Sequence, residues 1–383
     1  MNEIINTKKK KMLIFHPVLA TYRIDQFNFL NEIYDLEVVF LFDQMWNFKM
    51  DQNKISEQCK FKCSYLLSGP QYKNRLFRFG MYKKIKQIKP DIILGYEYSF
   101  TTQYLLLLKK LGIIKQRVGS FIDDSLDICL NVQSKARKYA RNNSVNRLDF
   151  LVVMSGEVAD FYCVNFNLEQ ENVIISPILQ FPERLRRNPE IIEDTAKDYM
   201  IDYNLKGKKV LLFVGRFIPE KALDLFIKTA SNFFREKDDC LFIIVGEGSE
   251  SENLKSIVID EKLVDKVLFP GKFQFEKLYA WYLTSSGFVL PSLSETFGAV
   301  VNEALIFGLT VLCSKYAGAS SLINTFNGHI FNPLDKSETL YKLELFYNQI
   351  NPVDEVSLAN KPSLIDDHRN NLIKEWGKLK CVK

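Results

Sequence analysis

Residues 287–314 are GFVLPSLSETFGAVVNEALIFGLTVLCS, and their pattern indicates the class of fold. An apolar run ends near Pro291, a loop of turn-forming residues follows, and 299–307 have the composition and length of a helix. Gly308 is placed to end that helix, and a second apolar run at 309–314 comes directly after it. Near-continuous apolar runs on both sides of a helix are typical of parallel strands covered on both faces. The stretch therefore predicts a strand–helix–strand unit of a parallel sheet.

The same alternation recurs along all 383 residues. Predicted strands lie at 12–16, 36–42, 91–96, 117–123 and 150–155, and again at 208–215, 240–246, 266–271, 287–292 and 309–314. Helix-length segments lie among them at 22–34, 75–88, 101–111, 220–235, 250–260, 275–283 and 299–307. Between the two series, 176–190 contains three prolines and little periodicity, which predicts a linker. The pattern indicates an α/β protein of two doubly wound Rossmann-like domains facing across a cleft, with the ligand at the carboxyl ends of the strands.

The composition fits a globular protein. The chain is 47% hydrophobic and 25% charged, and no apolar run reaches the roughly 18 residues of a membrane span. The first residues carry positive charge but no small-residue cleavage site, so we interpret them as a frayed tail before a strand rather than a signal peptide. Seven scattered cysteines indicate reduced, buried thiols, which favours a cytoplasmic location.

Positive charge is concentrated in the first half. Residues 1–182 carry a net charge of +7 and the remainder −2. The excess is densest at 73–89, where seven basic residues alternate with aromatic ones. A solvated helix face explains this segment, and so does a surface helix that meets anionic lipid headgroups. No recognised nucleic-acid motif accompanies it.

Two pairs of charged residues follow predicted strands of the second half. In 213–230, FVGRFIPEKALDLFIKTA, Arg216 comes directly after the strand and Lys221 lies at the start of a helix. Both side chains suit phosphate oxygens, and a helix N-terminus adds free N–H groups. Glu295 precedes the helix at 299–307, and Glu303 lies one turn inside it. Taken singly, Glu295 is better explained as a helix-terminus carboxylate bonded to backbone N–H groups, and Glu303 as an exposed helix residue.

As a set, these motifs resemble the C-terminal domain of retaining glycosyltransferases of the GT-B fold, family 4 (glycosyl transferases group 1). The resemblance covers about 205–340 closely, and the first half matches mainly in layout. The segments that carry it are Gly-Arg-x4-Lys (215–221), IIVGEGSESENL (243–254), VLFPGKF (267–273), Glu-x7-Glu (295–303), NGHIFNPLD (327–335) and, in the first half, HPVLATYR (16–23).

The resemblance implies a role for each matching residue. Glu295 and the amides beside it would hold hydroxyls of the transferred sugar, Glu303 the ribose, and Arg216 with Lys221 the diphosphate. The donor-binding residues so implied are Gly215, Arg216, Lys221, Gly246, Gly271, Lys272, Phe273, Glu295, Phe297, Gly298, Ala299 and Glu303. The catalytic residues so implied are Glu295, Arg216, Lys221, Asp123 and Asp124.

The chain departs from the family pattern at three places. The loop FHPVLATYR (15–23) lacks the glycines common in the family, and AGASSLI (317–323) has serines where many members have a glutamate. Where many members have His-Asp, this chain has Asp123-Asp124, which changes what can bond to an outer sugar hydroxyl. The stretch DDSLD also resembles an aspartate-rich metal motif, although that motif belongs to helices and this one follows a predicted strand.

The resemblance implies a three-part chain: an acceptor-side domain (1–180), a nucleotide-sugar-binding domain (181–365) and a C-terminal helix (366–383) that crosses back to the first domain. The implied enzyme is a metal-independent, retaining transferase without a cofactor. It moves a sugar from a nucleotide-sugar, its donor substrate, to a glycan or lipid-linked acceptor in polysaccharide or glycoconjugate biosynthesis. We expect a cytoplasmic protein, with peripheral contact at the inner membrane face through 73–89, that does not bind nucleic acid. The alternatives are a GT-B nucleotide-sugar 2-epimerase and a catalytically inactive GT-B partner protein.

Overall fold

The structure is a computed structural model that describes residues 9–43, 52–72, 75–131 and 134–381. The chain divides into two compact units. Unit 1 consists of the chain up to Leu179 together with the C-terminal segment from Asp367. Unit 2 comprises Gln180–Asp366.

Strands of the described residues form one parallel sheet in each unit. In chain order they are β1 (Lys11–His16), β2 (Asp35–Phe40), β3 (Lys62–Tyr65), β4 (Gln71–Tyr72), β5 (Arg75–Leu76), β6 (Ile92–Tyr96), β7 (Arg117–Ile122), β8 (Phe150–Val153), β9 (Val173–Ile175), β10 (Lys209–Val214), β11 (Cys240–Val245), β12 (Val267–Gly271), β13 (Gly287–Leu290), β14 (Thr310–Ser314) and β15 (Gly328–Phe331). Seven of these strands form the sheet of unit 1 in the order β3-β2-β1-β6-β7-β8-β9, and β4 with β5 form a separate antiparallel pair. Six strands form the sheet of unit 2 in the order β12-β11-β10-β13-β14-β15.

Helices connect most of these strands, as a parallel sheet requires. In chain order they are α1 (Ile24–Ile33), α2 (Gln52–Ser56), α3 (Met81–Ile88), α4 (Phe100–Lys110), α5 (Leu126–Leu130), α6 (Lys135–Ser144), α7 (Gly156–Phe166), α8 (Pro182–Leu185), α9 (Pro189–Asp202), α10 (Leu223–Thr229), α11 (Ser231–Glu236), α12 (Ser251–Asp260), α13 (Glu276–Leu283), α14 (Ala299–Ile306), α15 (Lys336–Gln349) and α16 (Arg369–Cys381). The predicted fold class, two Rossmann-like α/β domains, is confirmed. No helix among the described residues is both long enough and apolar enough to cross a membrane.

The carboxyl ends of the unit 2 strands lie at one edge of the sheet. Val214, the last residue of β10, pairs with Val245 at the end of β11, and Val245 pairs in turn with Gly271 at the end of β12. On the other side of β10, the last residue of β13, Leu290, pairs with Cys313 of β14. The loops that leave these strands are therefore neighbours, and they carry most of the predicted site.

The C-terminal helix α16 packs within unit 1. Trp376 is fully buried, and its indole Nε1 donates a hydrogen bond to Ser176 Oγ at 3.1 Å. The Tyr34 hydroxyl donates to the carbonyl oxygen of Trp376 at 2.7 Å. Leu372 is also buried, whereas the neighbouring Ile373 is 53% exposed.

Two segments differ from the sequence-based expectation. The segment predicted as a helix at 75–88 is helical only from Met81, because Gly80 adopts a left-handed conformation (φ +93°) and the hairpin strand β5 precedes it. The predicted linker at 176–190 contains α8 and the start of α9. Both helices begin with proline, whose fixed φ suits the first turn of a helix and whose missing N–H costs nothing there.

Candidate functional site

The loop after β10 is pressed against the loop after β11. The amide of Phe217 donates to the carbonyl of Glu247 at 2.9 Å. Gly246 has a φ of +148°, and a Cβ at this position would lie 1.8 Å from the carbonyl oxygen of Gly215. A side chain at 246 would therefore force the two loops apart, so the backbone geometry requires glycine here.

Arg216 lies in this loop and is exposed to solvent. Within the described part of the chain, its guanidinium has no hydrogen-bond or ion-pair partner. This exposed cation, directly after a buried strand, is available to an anionic ligand, and phosphate binding by Arg216 stays a prediction.

Lys221 and Glu295 form an ion pair between Nζ and Oε2. Their side chains are 13% and 16% exposed, so the pair is only partly accessible to water. The backbone supports this contact, because the amide of Leu293 donates to the carbonyl of Glu220 at 2.9 Å and ties the loop after β13 to the turn that carries Lys221. The sequence assigned these residues to different parts of a ligand, whereas the structure brings them into direct contact. A phosphate that binds Lys221 must therefore compete with Glu295.

The turn before α14 is tightly fixed. Phe297 is buried, and its carbonyl accepts a hydrogen bond from the amide of Ala319 at 2.6 Å. Gly298 has a φ of +93° and precedes Ala299, the first residue of α14. The first amides of a helix have no acceptor within it, so this N-terminus presents donors and a positive dipole end beside Glu295.

Glu303 is buried inside unit 2, not exposed as a helix-surface residue would be. One carboxylate oxygen accepts from Gln180 Nε2 at 2.7 Å, and the other accepts from the Tyr282 hydroxyl at 2.8 Å. Burial raises the pKa of Glu303, and the hydrogen bonds from Gln180 and Tyr282 partly oppose that shift. Arg184 donates to Gln180 Oε1 at 2.8 Å and extends the network. Each carboxylate oxygen can accept a second hydrogen bond, which leaves capacity for a ligand hydroxyl.

The sequence did not reveal the partners of Glu303. Gln180 and Arg184 fall in the segment interpreted as a linker, and Tyr282 lies in the predicted helix at 275–283. No local pattern marks any of them, since each is more than 20 positions from Glu303.

The segment after β12 joins the same edge of the sheet. The amide of Gly246 donates to the carbonyl of Gly271 at 2.9 Å, and Gly271 has a φ of +103°. Lys272 Nζ lies 2.6 Å from a carboxylate oxygen of Glu247. The ring of Phe273 lies 5.8 Å from that of Trp281, measured between centroids. The structure thus places every predicted donor-binding residue in unit 2, at or beside the loops of one sheet edge, with Glu303 buried one helical turn behind it.

Asp123 and Asp124 follow β7 in unit 1, and both are buried. Asp123 is ion-paired with Arg23, and Asp124 Oδ1 lies 2.6 Å from Arg137. The same Arg137 nitrogen pairs with Glu97. Asp123 and Asp124, the first two of the three aspartates in DDSLD, are thus ion-paired with arginine side chains. No group of three or more His, Cys, Asp or Glu side chains in the described ranges is arranged to hold a metal ion.

Glu97 is a functional candidate that sequence reasoning missed. It has a φ of +53°, in the left-handed region that a non-glycine residue rarely adopts, and one of its carboxylate oxygens accepts from the amide of Asp123 at 3.0 Å. Burial, followed by the charge of Asp124, raises the pKa of Glu97 to about 7. Backbone strain and a shifted pKa together are typical of functional positions.

The basic segment at 73–89 is only partly described, because residues 73 and 74 lie outside the described ranges. Phe79 is 58% exposed, and Lys83 and Lys86 flank Lys84 on α3. Lys84 is ion-paired with Glu37. The segment therefore presents an exposed aromatic ring beside basic residues.

The cysteines match the sequence-based expectation in part. The six described with side chains are free thiols, and Cys129, Cys240 and Cys313 are buried. Cys63 is exposed, however.

Comparison with known proteins identifies the family of one domain and the fold of the whole chain. Residues 197–350 match the family model of glycosyl transferases group 1. Over 150 residues the chain is 27% identical to alpha-D-kanosaminyltransferase of Streptomyces kanamyceticus, a match that covers 37% of this chain and 39% of that protein. The chain thus spans well under half the length of this relative.

Solved structures resemble this chain over nearly its whole length. A glycosyltransferase from Rickettsia africae superimposes with a TM-score of 0.69 at 15% identity, covering 98% of this chain and 100% of that one. Anabaena HepE, solved in complex with UDP and glucose, superimposes with a TM-score of 0.64 at 15% identity, covering 97% and 96%. Residues 197–350 therefore form a glycosyl transferases group 1 domain in a chain of the GT-B fold.

Proposed function

We propose that this protein is a retaining glycosyltransferase of family 4 that moves a sugar from a nucleotide-sugar donor to a glycan or lipid-linked acceptor. The observation that carries the proposal is the Lys221–Glu295 ion pair, which lies at the carboxyl edge of the sheet beside the exposed Arg216 and the N-terminus of α14. The name of the Streptomyces relative and the UDP and glucose bound to HepE support a nucleotide-sugar donor.

Arg216 and Lys221 would bind the donor diphosphate. When the glycosidic bond breaks, the bond electrons stay with the phosphate oxygen, and the leaving group gains negative charge. Two cations and the amides at the start of α14 stabilise that charge without a metal ion. We therefore propose a metal-independent reaction with no cofactor.

Glu295 would exchange partners when the donor binds. When the diphosphate binds the Lys221 ammonium, it replaces Glu295 as the partner of that group. The Glu295 carboxylate is then free to accept hydrogen bonds from hydroxyls of the transferred sugar. The sugar ring develops positive charge as the bond breaks, so a carboxylate beside it binds the transition state more tightly than the ground state. Glu295 thereby contributes to rate more than to affinity.

Retention requires that the acceptor oxygen attacks the face of the sugar from which the diphosphate departs. In the proposed step, the acceptor O–H bond breaks and its oxygen bonds to the anomeric carbon, while the leaving phosphate takes the proton. No protein base is needed. Glu303 would bind the ribose. Asp123 and Asp124 of unit 1 would accept hydrogen bonds from an outer hydroxyl of the sugar.

Peripheral attachment to the inner face of a membrane belongs to the same proposal. The exposed Phe79 beside the lysines of α3 fits an anionic lipid surface, and a lipid-linked acceptor would be met there. Polysaccharide or glycoconjugate biosynthesis in the cytoplasm is the setting that this chemistry suits.

Isothermal titration with UDP, GDP and ADP tests the donor site, and incubation with a panel of sugar nucleotides tests the reaction. We expect one nucleoside diphosphate to bind and the matching donor to be consumed, with transfer products of unchanged anomeric configuration by NMR. A 2-epimerase would instead release a free epimer from the nucleotide-sugar, and an inactive partner protein would bind without turnover. Either result would overturn the proposal.

A further inference from the structure

Unit 2 contains a cavity of about 470 Å³ at the amino edge of its sheet, the edge opposite the loops of the predicted donor site. Ser286, which precedes β13, and Thr310, the first residue of β14, line one wall. Most of the remaining lining comes from 349–364, the segment that follows α15. The volume falls within the roughly 300–1,000 Å³ typical of small-molecule sites. The cavity is therefore separate from the donor site and large enough to admit a small molecule.

Lys361 lines this cavity and is held in place by its neighbours. Its Nζ donates a hydrogen bond to the carbonyl oxygen of Ser285, which also lines the cavity. Three residues further along, the amide of Leu364 donates to the carbonyl oxygen of Leu305 at 2.8 Å. Side chain and backbone are both anchored, so the amine has a defined position on the cavity wall.

The amine of Lys361 has no carboxylate partner within the described part of the chain. Asp354 and Glu355 line the same cavity, but neither forms an ion pair with Lys361, and Glu355 accepts a hydrogen bond from Asn360 at 3.4 Å. A second cation lies nearby instead, because the guanidinium of Arg186 donates to the carbonyl oxygen of Lys361 at 2.6 Å. Two neighbouring cations without a counter-charge disfavour the protonated form of the amine.

The ionisation of Lys361 agrees with this geometry. Burial, and after it the charge of Arg186, lowers the pKa of Lys361 to about 7. A lysine in water has a pKa of about 10.4, so only about 0.1% of it is neutral at pH 7.4. The neutral amine is the nucleophilic form, and a desolvated lysine beside another cation is one arrangement that activates it.

We propose that Lys361 is a site of covalent acylation by small activated acyl compounds that enter this cavity. With acetyl phosphate as the acyl donor, the amine nitrogen attacks the carbonyl carbon and a C–N bond forms. The C–O bond to phosphate breaks, the phosphate leaves with the bond electrons, and the amine proton passes to water. The amide product keeps an N–H that can donate to Ser285, and it removes a positive charge beside Arg186. The inference does not depend on the proposed transfer reaction.

Rates of acetylation at individual lysines test the inference on the full chain. The protein is treated briefly with acetyl phosphate between pH 6 and pH 9.5 and then denatured. Deuterated acetic anhydride caps the remaining amines, and peptide mass spectrometry gives the fraction of each lysine that had reacted. Lys206 is the reference, because it precedes β10 in the same unit, is exposed, and has no ion-pair partner in the described ranges.

We expect Lys361 to react at least about tenfold faster than Lys206 at pH 7.4, because far more of its amine is neutral. Its rate should level off above about pH 8, whereas the rate of Lys206 should keep rising with pH. Lys361→Arg should remove the fast-reacting site and leave the other lysines unchanged.

Two substitutions at Arg186 test the contribution of the second cation. Arg186→Gln removes the positive charge and should slow acetylation of Lys361 by at least about threefold at pH 7.4. Arg186→Lys keeps the charge and is the matched control, with a rate close to that of the parent protein. If Arg186→Gln fails to fold, the pH profile of the parent protein still decides the question.

Three results would overturn the inference: a Lys361 rate no higher than that of Lys206, parallel pH profiles for the two lysines, or equal rates in Arg186→Gln and Arg186→Lys.

Discussion

Replacing Tyr282 by phenylalanine removes one hydrogen bond from the buried carboxylate of Glu303 and changes almost nothing else. The Tyr282 ring is fully buried and stacks on Phe307, with centroids 5.6 Å apart and an interplanar angle of 11°. Phenylalanine keeps that packing. A hydrogen bond to a charged group contributes about 1.5–3 kcal/mol. We therefore expect Tyr282→Phe to lower the free energy of unfolding by about 2 kcal/mol at pH 8.

The loss should depend on pH, with a sign that follows from the raised pKa of Glu303. Between the ordinary glutamate pKa of 4.5 and the raised folded value, the folded protein holds a proton that the unfolded chain has released. Stability therefore falls as pH rises through this window. Without the Tyr282 donor the folded pKa rises further, so the variant continues to lose stability to higher pH. As the pH falls below 4.5 the carboxyl becomes protonated in the folded state of both proteins, and the difference should shrink to that of a neutral hydrogen bond, about 1 kcal/mol.

Urea denaturation at a series of pH values, with hydrogen exchange of the α14 peptides as a local probe, measures this effect. Tyr203→Phe is the matched control, because the Tyr203 hydroxyl has no hydrogen-bond partner in the described part of unit 2. That substitution should change stability little at any pH. A loss in Tyr282→Phe that is independent of pH, or a control that loses as much, would refute the reasoning about Glu303.

Four further outcomes are expected. Arg216→Ala and Lys221→Ala should each weaken nucleoside diphosphate binding by about 1.5–3 kcal/mol in calorimetry, and unchanged affinity in both would remove them from the donor site. Glu303→Gln should weaken binding of both the nucleoside diphosphate and the nucleotide-sugar. If the variant binds each ligand as tightly as the parent protein does, Glu303 does not contact the ribose. Glu295→Gln should keep or strengthen diphosphate affinity, because it removes the carboxylate that competes for Lys221, and should lower kcat by about 100- to 1000-fold at saturating donor; lost binding with normal turnover would reverse its assignment. Transfer should persist in EDTA; complete loss that manganese or magnesium restores would show that a metal ion takes part.

Two features could be predicted from local sequence patterns: the fold class, and the edge of the sheet where the unit 2 residues gather. Buried parallel strands need nearly continuous apolar runs, and such runs, with helices between them, are local patterns. The position of Arg216 after β10 and of Glu295 after β13 could be predicted for the same reason, because a residue that directly follows a parallel strand lies at its carboxyl edge. Gly246 and Gly298 mark positive φ angles in the loops, which is also a local property.

The contacts between distant side chains follow from the folded structure and not from the sequence pattern. Lys221 contacts Glu295 because β10 and β13 are neighbours in the sheet, although 74 positions separate the two residues. Gln180 reaches Glu303 across 123 positions, and Arg137 reaches Glu97 across 40. Such contacts depend on strand order and on the packing of helices against the sheet, and no periodicity in one segment encodes them. The sequence therefore predicted which charged residues gather at one edge of the unit 2 sheet, and the fold decided which of these charges are paired and which are buried.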